Sequence, residues 1–308
     1  MLCQLAHSFP LIVAKLLERD KKLTRNFREE TITDLLMASL VGLGGYGIHV
    51  DYPDEPKTGG DMDWVFTAPL ETAGSCYLRV PIQAKRAQFV KLKTGGYWYY
   101  HHLDHGAPKG QQAQTLVNRD NSLSTLPLYM FYHPTSALTP RQNGLAAVEG
   151  INLVFAQDVA AVVKGGCQKK EKRLSFWRPR FLPLSDILCW PLIATSAGLF
   201  GKQDPTQIIG DGVPLALPDL SAGFHPDIVA RRFHQIREES YFPHDTRSTP
   251  LRFGPADEIP PEIRRAIENE MTADDRRELK RPRVIFSTGL RRDDPDFQRI
   301  EEISRDHR

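Results

Sequence analysis

Cysteine is scarce in this chain of 308 residues: there are four, Cys3, Cys76, Cys167 and Cys189, and no two form a CxxC pair. That spacing carries no zinc signature, and a chain of this length needs no disulfide scaffold, so reduced thiols in a cytoplasmic protein are the expectation. Net charge is nearly absent as well, with 40 Lys and Arg against 38 Asp and Glu giving +2. The total therefore predicts no polyanion partner, and only the distribution of charge can do so. Long apolar runs are missing too. Phe9 to Ala14 is cut short by Lys15, with no basic leader or small-residue cleavage site. No stretch reaches the ~20 apolar residues of a membrane span, so no membrane partner is expected. GxSxG and P-loop strings are lacking, which leaves acyl transfer and nucleotide hydrolysis without support.

What the chain does contain is enough for a core: 41% hydrophobic residues and 9% aromatic. Leu11 to Arg19 reads as a short helix. Thr24 to Val41 reads as a stronger one, with Phe27, Ile32, Leu35, Leu36 and Leu40 on helical spacing. The glycines from Gly42 to Gly47 end it. Three strands are expected next, at 48–52, 61–68 and 77–84, with Gly59-Gly60 and Gly74-Ser75 as turns. A basic, aromatic-rich loop, a helix at 111–123 and a buried strand at 128–132 follow. The order helix, three strands, helix, strand predicts a mixed α/β fold in which the three strands form a meander and the fourth joins by a helical crossover. Further on, 151–156 and 283–287 read as strands, and 158–163 and 260–271 as helices. Residues 201–258 resist assignment, and 291–308 read as a charged tail. The division expected is a main domain at 1–200 and an irregular, helical extension at 201–308.

One group of residues carries chemistry. Asp61 opens a strand directly after two glycines, and Asp63 shares its face. One strand later, Gln83 and Lys85 share a face while Ile82 and Ala84 point the other way. Burying a glutamine and a lysine is costly unless partners are provided, and an adjacent carboxylate with a divalent cation would provide them. The preceding helix offers Glu29 and Glu30, of which Glu29 lies closer to the apolar stripe. Each signal alone has a plain structural reading: a QxK triplet as surface polarity, an Asp after Gly-Gly as a turn, acids at a helix start as dipole partners. Their order and strand context together favour a site.

The strings Arg28-Glu-Glu-Thr-Ile-Thr-Asp-Leu-Leu36, Gly60-Asp-Met-Asp-Trp64 and Gln83-Ala-Lys-Arg86, followed by Pro127 to Tyr132, resemble the PD-(D/E)XK nuclease superfamily in its QxK variant, as in Mrr-like restriction nucleases. The resemblance covers residues 25 to 190 and implies a restriction-endonuclease-like αβββαβ core with a mixed sheet flanked by helices. It implies Mg²⁺, with Mn²⁺ as a substitute, bound by Asp61, the Gln83 side chain and the Ala84 carbonyl. Glu29 or Glu30 would assist, and Lys85 would orient water and stabilise the transition state. Glutamine at 83, where the superfamily usually has an acid, lowers the charge of the site. The implied activity is a phosphodiesterase, with a DNA endonuclease favoured over an RNA nuclease and a role in defence against foreign DNA. The implied partners are nucleic acid, a second copy of the chain, or a defence-system protein. A non-catalytic member that binds nucleic acid or protein is the alternative.

Four other features have readings of their own. Gly42-x-Gly44-x-x-Gly47 matches the dinucleotide fingerprint, but a helix precedes it and a strand follows, the reverse of what that motif needs, so it reads as a loop. His101, His102 and His105 with Asp104 read as a solvated loop or one wall of a substrate groove. Lys85, Arg86, Lys91 and Lys93 fall in nine residues free of acids, and Arg86, Lys91 and Lys93 are the expected nucleic-acid contacts. A second basic run, Lys164 to Arg180 with Phe176 and Trp177, suits phosphate contact and solvation equally well.

Overall fold

The computed structural model describes residues 2–20, 23, 27–44, 47–53, 61–69, 76–118, 122–189, 224–239 and 251–289. Gly59-Gly60, Gly74-Ser75, Trp190 and the tail at 291–308 lie outside the described residues, as do 24–26 of the second expected helix.

The helices are α1 (Leu2–Asp20), α2 (Glu29–Val41), α3 (Gln111–Asn118), α4 (Ala156–Val163), α5 (Leu174–Trp177), α6 (Ser185–Leu188), α7 (Pro226–Glu239), α8 (Pro261–Ile267) and α9 (Ala273–Glu278). The strands are β1 (Ile48–Asp51), β2 (Asp61–Thr67), β3 (Tyr77–Arg86), β4 (Gln88–Lys91), β5 (Gly96–Tyr99), β6 (Leu128–Tyr132), β7 (Ile151–Phe155), β8 (Leu182–Pro183) and β9 (Arg283–Ser287). Seven strands form one mixed sheet in the order β1-β9-β2-β3-β6-β7-β8. The fold is α/β, and α2, β1, β2, β3, α3 and β6 follow one another in the expected order, with the β4–β5 hairpin between β3 and α3.

Strand alternation divides the core between the two faces of the sheet. Met62, Trp64 and Phe66, with Val80, Ile82, Ala84, Leu128, Met130, Val284 and Phe286, pack on one side with α1, α2, α6 and α7. The other face is covered in two separate patches. Tyr129, Phe131 and Val154 pack with α3, α4 and α5. Val65, Tyr77 and Ile285 pack with α8. Asp61, Asp63, Gln83 and Lys85 alternate with the first set of side chains, so they belong to this second face.

The sheet corrects three expectations. The first three strands are not a meander: β2 pairs antiparallel with β3, but β9 lies between β1 and β2, antiparallel to the first and parallel to the second. The cause is burial. The Val284-Ile285-Phe286 core of β9 is apolar on both faces and suits an interior slot, whereas β1 is half-buried beyond Ile48 and takes the edge. The boundary at residue 200 therefore does not separate two units, since β9 completes the sheet and α7 packs against β2 and β3. The loop after Arg86 is a hairpin, β4 pairing with β5.

Gly47 ends the glycine string as a loop residue with φ of +71°, and its carbonyl accepts from the Ser287 N–H at 2.8 Å. A Cβ there would meet the Ser287 carbonyl oxygen at 2.4 Å, so the glycine lets β9 close on β1. Cys3 and Cys189 form a disulfide, which replaces the expectation of four reduced thiols. A separation of 186 residues hides the pairing in the sequence, and the packing of α1 on α6 creates it. No helix among the described residues is long and apolar enough to cross a membrane.

Candidate functional site

β2 and β3 are in register so that Asp61 stands directly opposite Gln83. β6 continues the row on the other side, with Tyr129 opposite Gln83 and Phe131 opposite Lys85. Asp61, Gln83 and Lys85 are nearly buried, at 7%, 3% and 7% exposure. They lie in the seam between the two apolar patches of this face. A cleft of about 310 Å³ opens there, lined by Asp61, Gln83, Gly106, Gln111, Gln112, Thr115, Leu116 and Arg281.

The Lys85 ammonium donates to Gln112 Oε1 of α3 at 3.0 Å. Burial pushes its pKa below the usual lysine range, and Glu29 and Asp61 act against that shift, so both carboxylates are near enough to be felt. Burial, reinforced by the Asp61 charge, raises the Tyr129 phenol well above its ordinary value.

β3 runs on past the start of β2, and the direction of its peptide groups there bears on Ala84. Arg79 and Ala87 use their main-chain groups toward β6: the N–H of Arg79 reaches Ser124, that of Leu126 reaches the Arg79 carbonyl, and that of Ala87 reaches Tyr132. Residues of the opposite parity face the β2 side, and the Arg86 N–H does so, donating to Glu29 Oε1 at 3.3 Å. The Ala84 carbonyl has the same parity as Arg86 and is directed toward the β2 side.

Glu29 is thus the glutamate that the structure brings to the end of β3. Its helical phase matches Ile32, Thr33 and Leu36, which are buried, while Leu35, expected inward, is 40% exposed. Glu30 lies on the Asp34 side, where its charge and burial raise the Asp34 carboxyl, burial being the larger effect. Four oxygen donors, the Asp61 and Glu29 carboxylates, the Gln83 amide and the Ala84 carbonyl, therefore belong to one corner. That is the hard-oxygen set a divalent cation such as Mg²⁺ takes.

Other expected residues take different places. Asp63 shares the Asp61 face, but it is held by Arg79 at 2.7 Å and by Arg281 at 3.5 Å. Arg86, expected to contact nucleic acid, instead ion-pairs with the fully buried Asp20 at 2.5 Å and donates to the Phe27 carbonyl. It ties the end of β3 to the α1–α2 connection. Lys91 and Lys93 are exposed on the β4–β5 hairpin, which leaves β3 one residue after Arg86. Exposed Phe89 packs on Trp98 at 5.1 Å between ring centres. In the second basic run Lys172 pairs with Asp104, Arg173 stacks on Tyr97 at 4.2 Å, and Arg178 donates to the Ala146 and Pro140 carbonyls. These three residues hold the hairpin and nearby loops in place.

The family comparison meets this geometry over almost the whole chain, since the model of one family matches residues 2–294. The chain belongs to DUF6615, a family of unknown function. No curated protein and no solved structure matched. The DUF6615 match spans α1 to β9, so it includes both halves of the sheet and the strand inserted between β1 and β2.

Several residues at the site carried no signal in the DUF6615 sequence. Gln112 and Gln111 sit on an ordinary short helix, and Arg281 precedes a strand 220 residues after Asp61. His102 belongs to the cluster that reads as a solvated loop or one wall of a substrate groove. Its pKa is lowered, mainly by burial and then by His101, His105 and Lys85, with Glu29 opposing, which places it near Lys85 and Glu29.

Proposed function

We propose that the chain is a metal-dependent phosphodiesterase acting on nucleic acid, with DNA favoured over RNA. The observation that carries this reading is the Asp61–Gln83 cross-strand pair with buried Lys85 on the same face, facing a cleft and sharing a corner with Glu29. A carboxylate, an amide and a lysine are expensive to keep at a sheet centre without a task.

Asp61, Glu29, Gln83 and the Ala84 carbonyl would hold Mg²⁺, or Mn²⁺ in its place. When bound, such an ion supplies Lewis-acid polarisation of a phosphoryl oxygen. Lys85, oriented by Gln112, offers positive charge to the phosphorane-like transition state from a low-dielectric wall, where a fixed donor is worth more than in water. Lys91 and Lys93 on the hairpin would meet backbone phosphates, and Phe89 and Trp98 offer faces to unpaired bases.

The test is cleavage of plasmid, single-stranded DNA and RNA with Mg²⁺, Mn²⁺ or EDTA. The expected result is metal-dependent cutting that falls by about 10²–10³-fold or more in Asp61→Ala and Lys85→Ala. Glu29→Gln should be impaired more than Glu30→Gln, because only Glu29 reaches the end of β3. Cutting by both alanine variants at the wild-type rate would overturn the assignment. A wild type inert on every substrate with both metals, yet retaining DNA, would favour the non-catalytic reading.

A further inference from the structure

About 20 Å along β2 from Asp61, at the other end of the strand, a second group of side chains converges. Thr67 pairs there with Tyr77, and Cys76 immediately precedes Tyr77. His225 and Asp227 reach the same point from the start of α7. The Cys76 sulfur, a His225 ring nitrogen and an Asp227 carboxylate oxygen all lie within 4.8 Å of one another. Cys76 and His225 are buried, and Asp227 is partly open to solvent.

We infer that Cys76, His225 and Asp227 form a binding site for a zinc-class divalent metal. The donor set argues for the class, because thiolate and imidazole select borderline-soft ions over Mg²⁺. The distances argue for the geometry. Cys76 Sγ and His225 Nδ1 each lie 3.9 Å from Asp227 Oδ2. That is the outer limit of a thiol–carboxylate hydrogen bond and beyond the reach of an N–H···O one. A tetrahedral ion with bonds of about 2.1–2.3 Å holds its ligand atoms about 3.4–3.6 Å apart, so these two separations exceed that spacing by only a few tenths of an ångström. The Asp227 N–H already orients the imidazole by donating to His225 Nδ1 at 3.3 Å, a long contact that yields readily to a metal bond.

The chain gains a joint from this site. Cys76 and His225 lie 149 residues apart, and the ion ties the first turn of α7 to the start of β3. Beside it, Phe224 stacks on Phe66 and Phe286 of the sheet. The metal thereby fastens α7 to the strands that carry the candidate phosphodiesterase site, without taking part in that site.

The experiment is a Co²⁺ titration of the full chain after removal of metal by a chelator, with reductant present. The expected result is one equivalent of Co²⁺ giving a thiolate-to-cobalt charge-transfer band, displaced by Zn²⁺. The band should be lost in Cys76→Ser and in His225→Gln and retained in Asp61→Ala and Cys167→Ser. Zn²⁺ should raise the melting temperature of the wild type and not that of Cys76→Ser. Absence of the band in the wild type overturns the proposal whether or not a variant folds. So does a band that survives Cys76→Ser and disappears in Cys3→Ser, which would move the metal to the Cys3, His7 and Cys189 group.

Discussion

Acidification should destabilise this fold through one histidine. His133 follows β6 and is completely buried. Its Nδ1 lies 2.7 Å from the Glu149 carbonyl oxygen, which can only accept, so the ring proton resides on Nδ1. Nε2 then accepts from the Tyr100 hydroxyl at 2.7 Å. Both nitrogens are satisfied in the neutral form, and burial pushes the pKa down from 6.5 to about 4, with the Glu149 hydrogen bond opposing. As the folded pKa is the lower one, the unfolded chain takes up a proton first as pH falls. The contribution is therefore fully present above pH 6.5, is lost progressively between 6.5 and about 4, and does not change further below that. A difference of roughly 2.5 pKa units corresponds to about 3 kcal/mol. Urea unfolding of wild type and His133→Asn at pH 7.5, 5.5 and 4 measures it. Asp34, Asp51 and Glu149, whose carboxyls are also raised by burial, titrate in both proteins and largely cancel in the difference. The stability gap between the two proteins should shrink by about 3 kcal/mol from pH 7.5 to 4. A gap that is constant with pH would refute the neutral, doubly bonded imidazole.

Two further predictions concern how the parts of the chain are joined. Arg237 of α7 grips Asp158 of α4 through two contacts of 2.6 and 2.8 Å, with Asp158 6% exposed, and its guanidinium lies over the Phe155 ring. Arg237→Met should cost about 3–5 kcal/mol by stranding a buried carboxylate, and adding Asp158→Leu should recover most of it. Denaturant midpoints of the four proteins in that cycle provide the check, and equal costs for the single and double variants would contradict it. Cys189→Ser should lower stability by about 2–4 kcal/mol in oxidised protein, since the Cys3–Cys189 bond closes a loop of 186 residues. Under strong reductant, wild type and variant should unfold at the same denaturant concentration.

The sequence made the strong local signals legible. Strands β2, β3, β6, β7 and β9 are short apolar runs, and each was found within two residues of its end. Partner choice was not legible, because pairing depends on distant competitors: nothing near Ile48 announces that β9 will take the slot beside β2. The β4–β5 hairpin was legible in principle. Phe89 and Val90 face Trp98 and Tyr97 across a turn at Gly95, which has φ of +89°, but the lysines drew the reading toward a loop. In the candidate site, the Asp61, Gln83 and Lys85 face followed from alternation alone. The Arg86 ion pair was not legible, because its partner Asp20 lies 66 residues earlier and a basic residue beside a site gives no hint that it is paired from behind. Helical phase favours Glu29 over Glu30, and Glu29 is the one that accepts from the Arg86 N–H, although the same phase places Leu35 on the wrong side.

The seam between the two apolar patches divides into halves with different physics. In one half Asp63 is matched by Arg79 and Arg281, cations from β3 and from the residues before β9, so its charge is consumed inside the fold. In the other half the cation is Lys85, and it is held by a neutral amide, Gln112, with its pKa lowered because burial outweighs Glu29 and Asp61. A carboxylate matched by two arginines needs no further ligand. Lys85 feels the Asp61 and Glu29 charges, but its ammonium donates to the Gln112 amide, and Glu29 accepts from the Arg86 N–H. Two aspartates two residues apart on one strand thus have different surroundings, two arginines at Asp63 and a lysine with the cleft at Asp61. If the seam is kept for stability, Lys85→Met would destabilise the protein, because it removes the cation felt by the buried Asp61 carboxylate. If it is kept for chemistry, Lys85→Met would lose cleavage with stability unchanged or higher, because a desolvated ammonium is itself costly to bury, and lost activity without lost stability is the signature that separates the two.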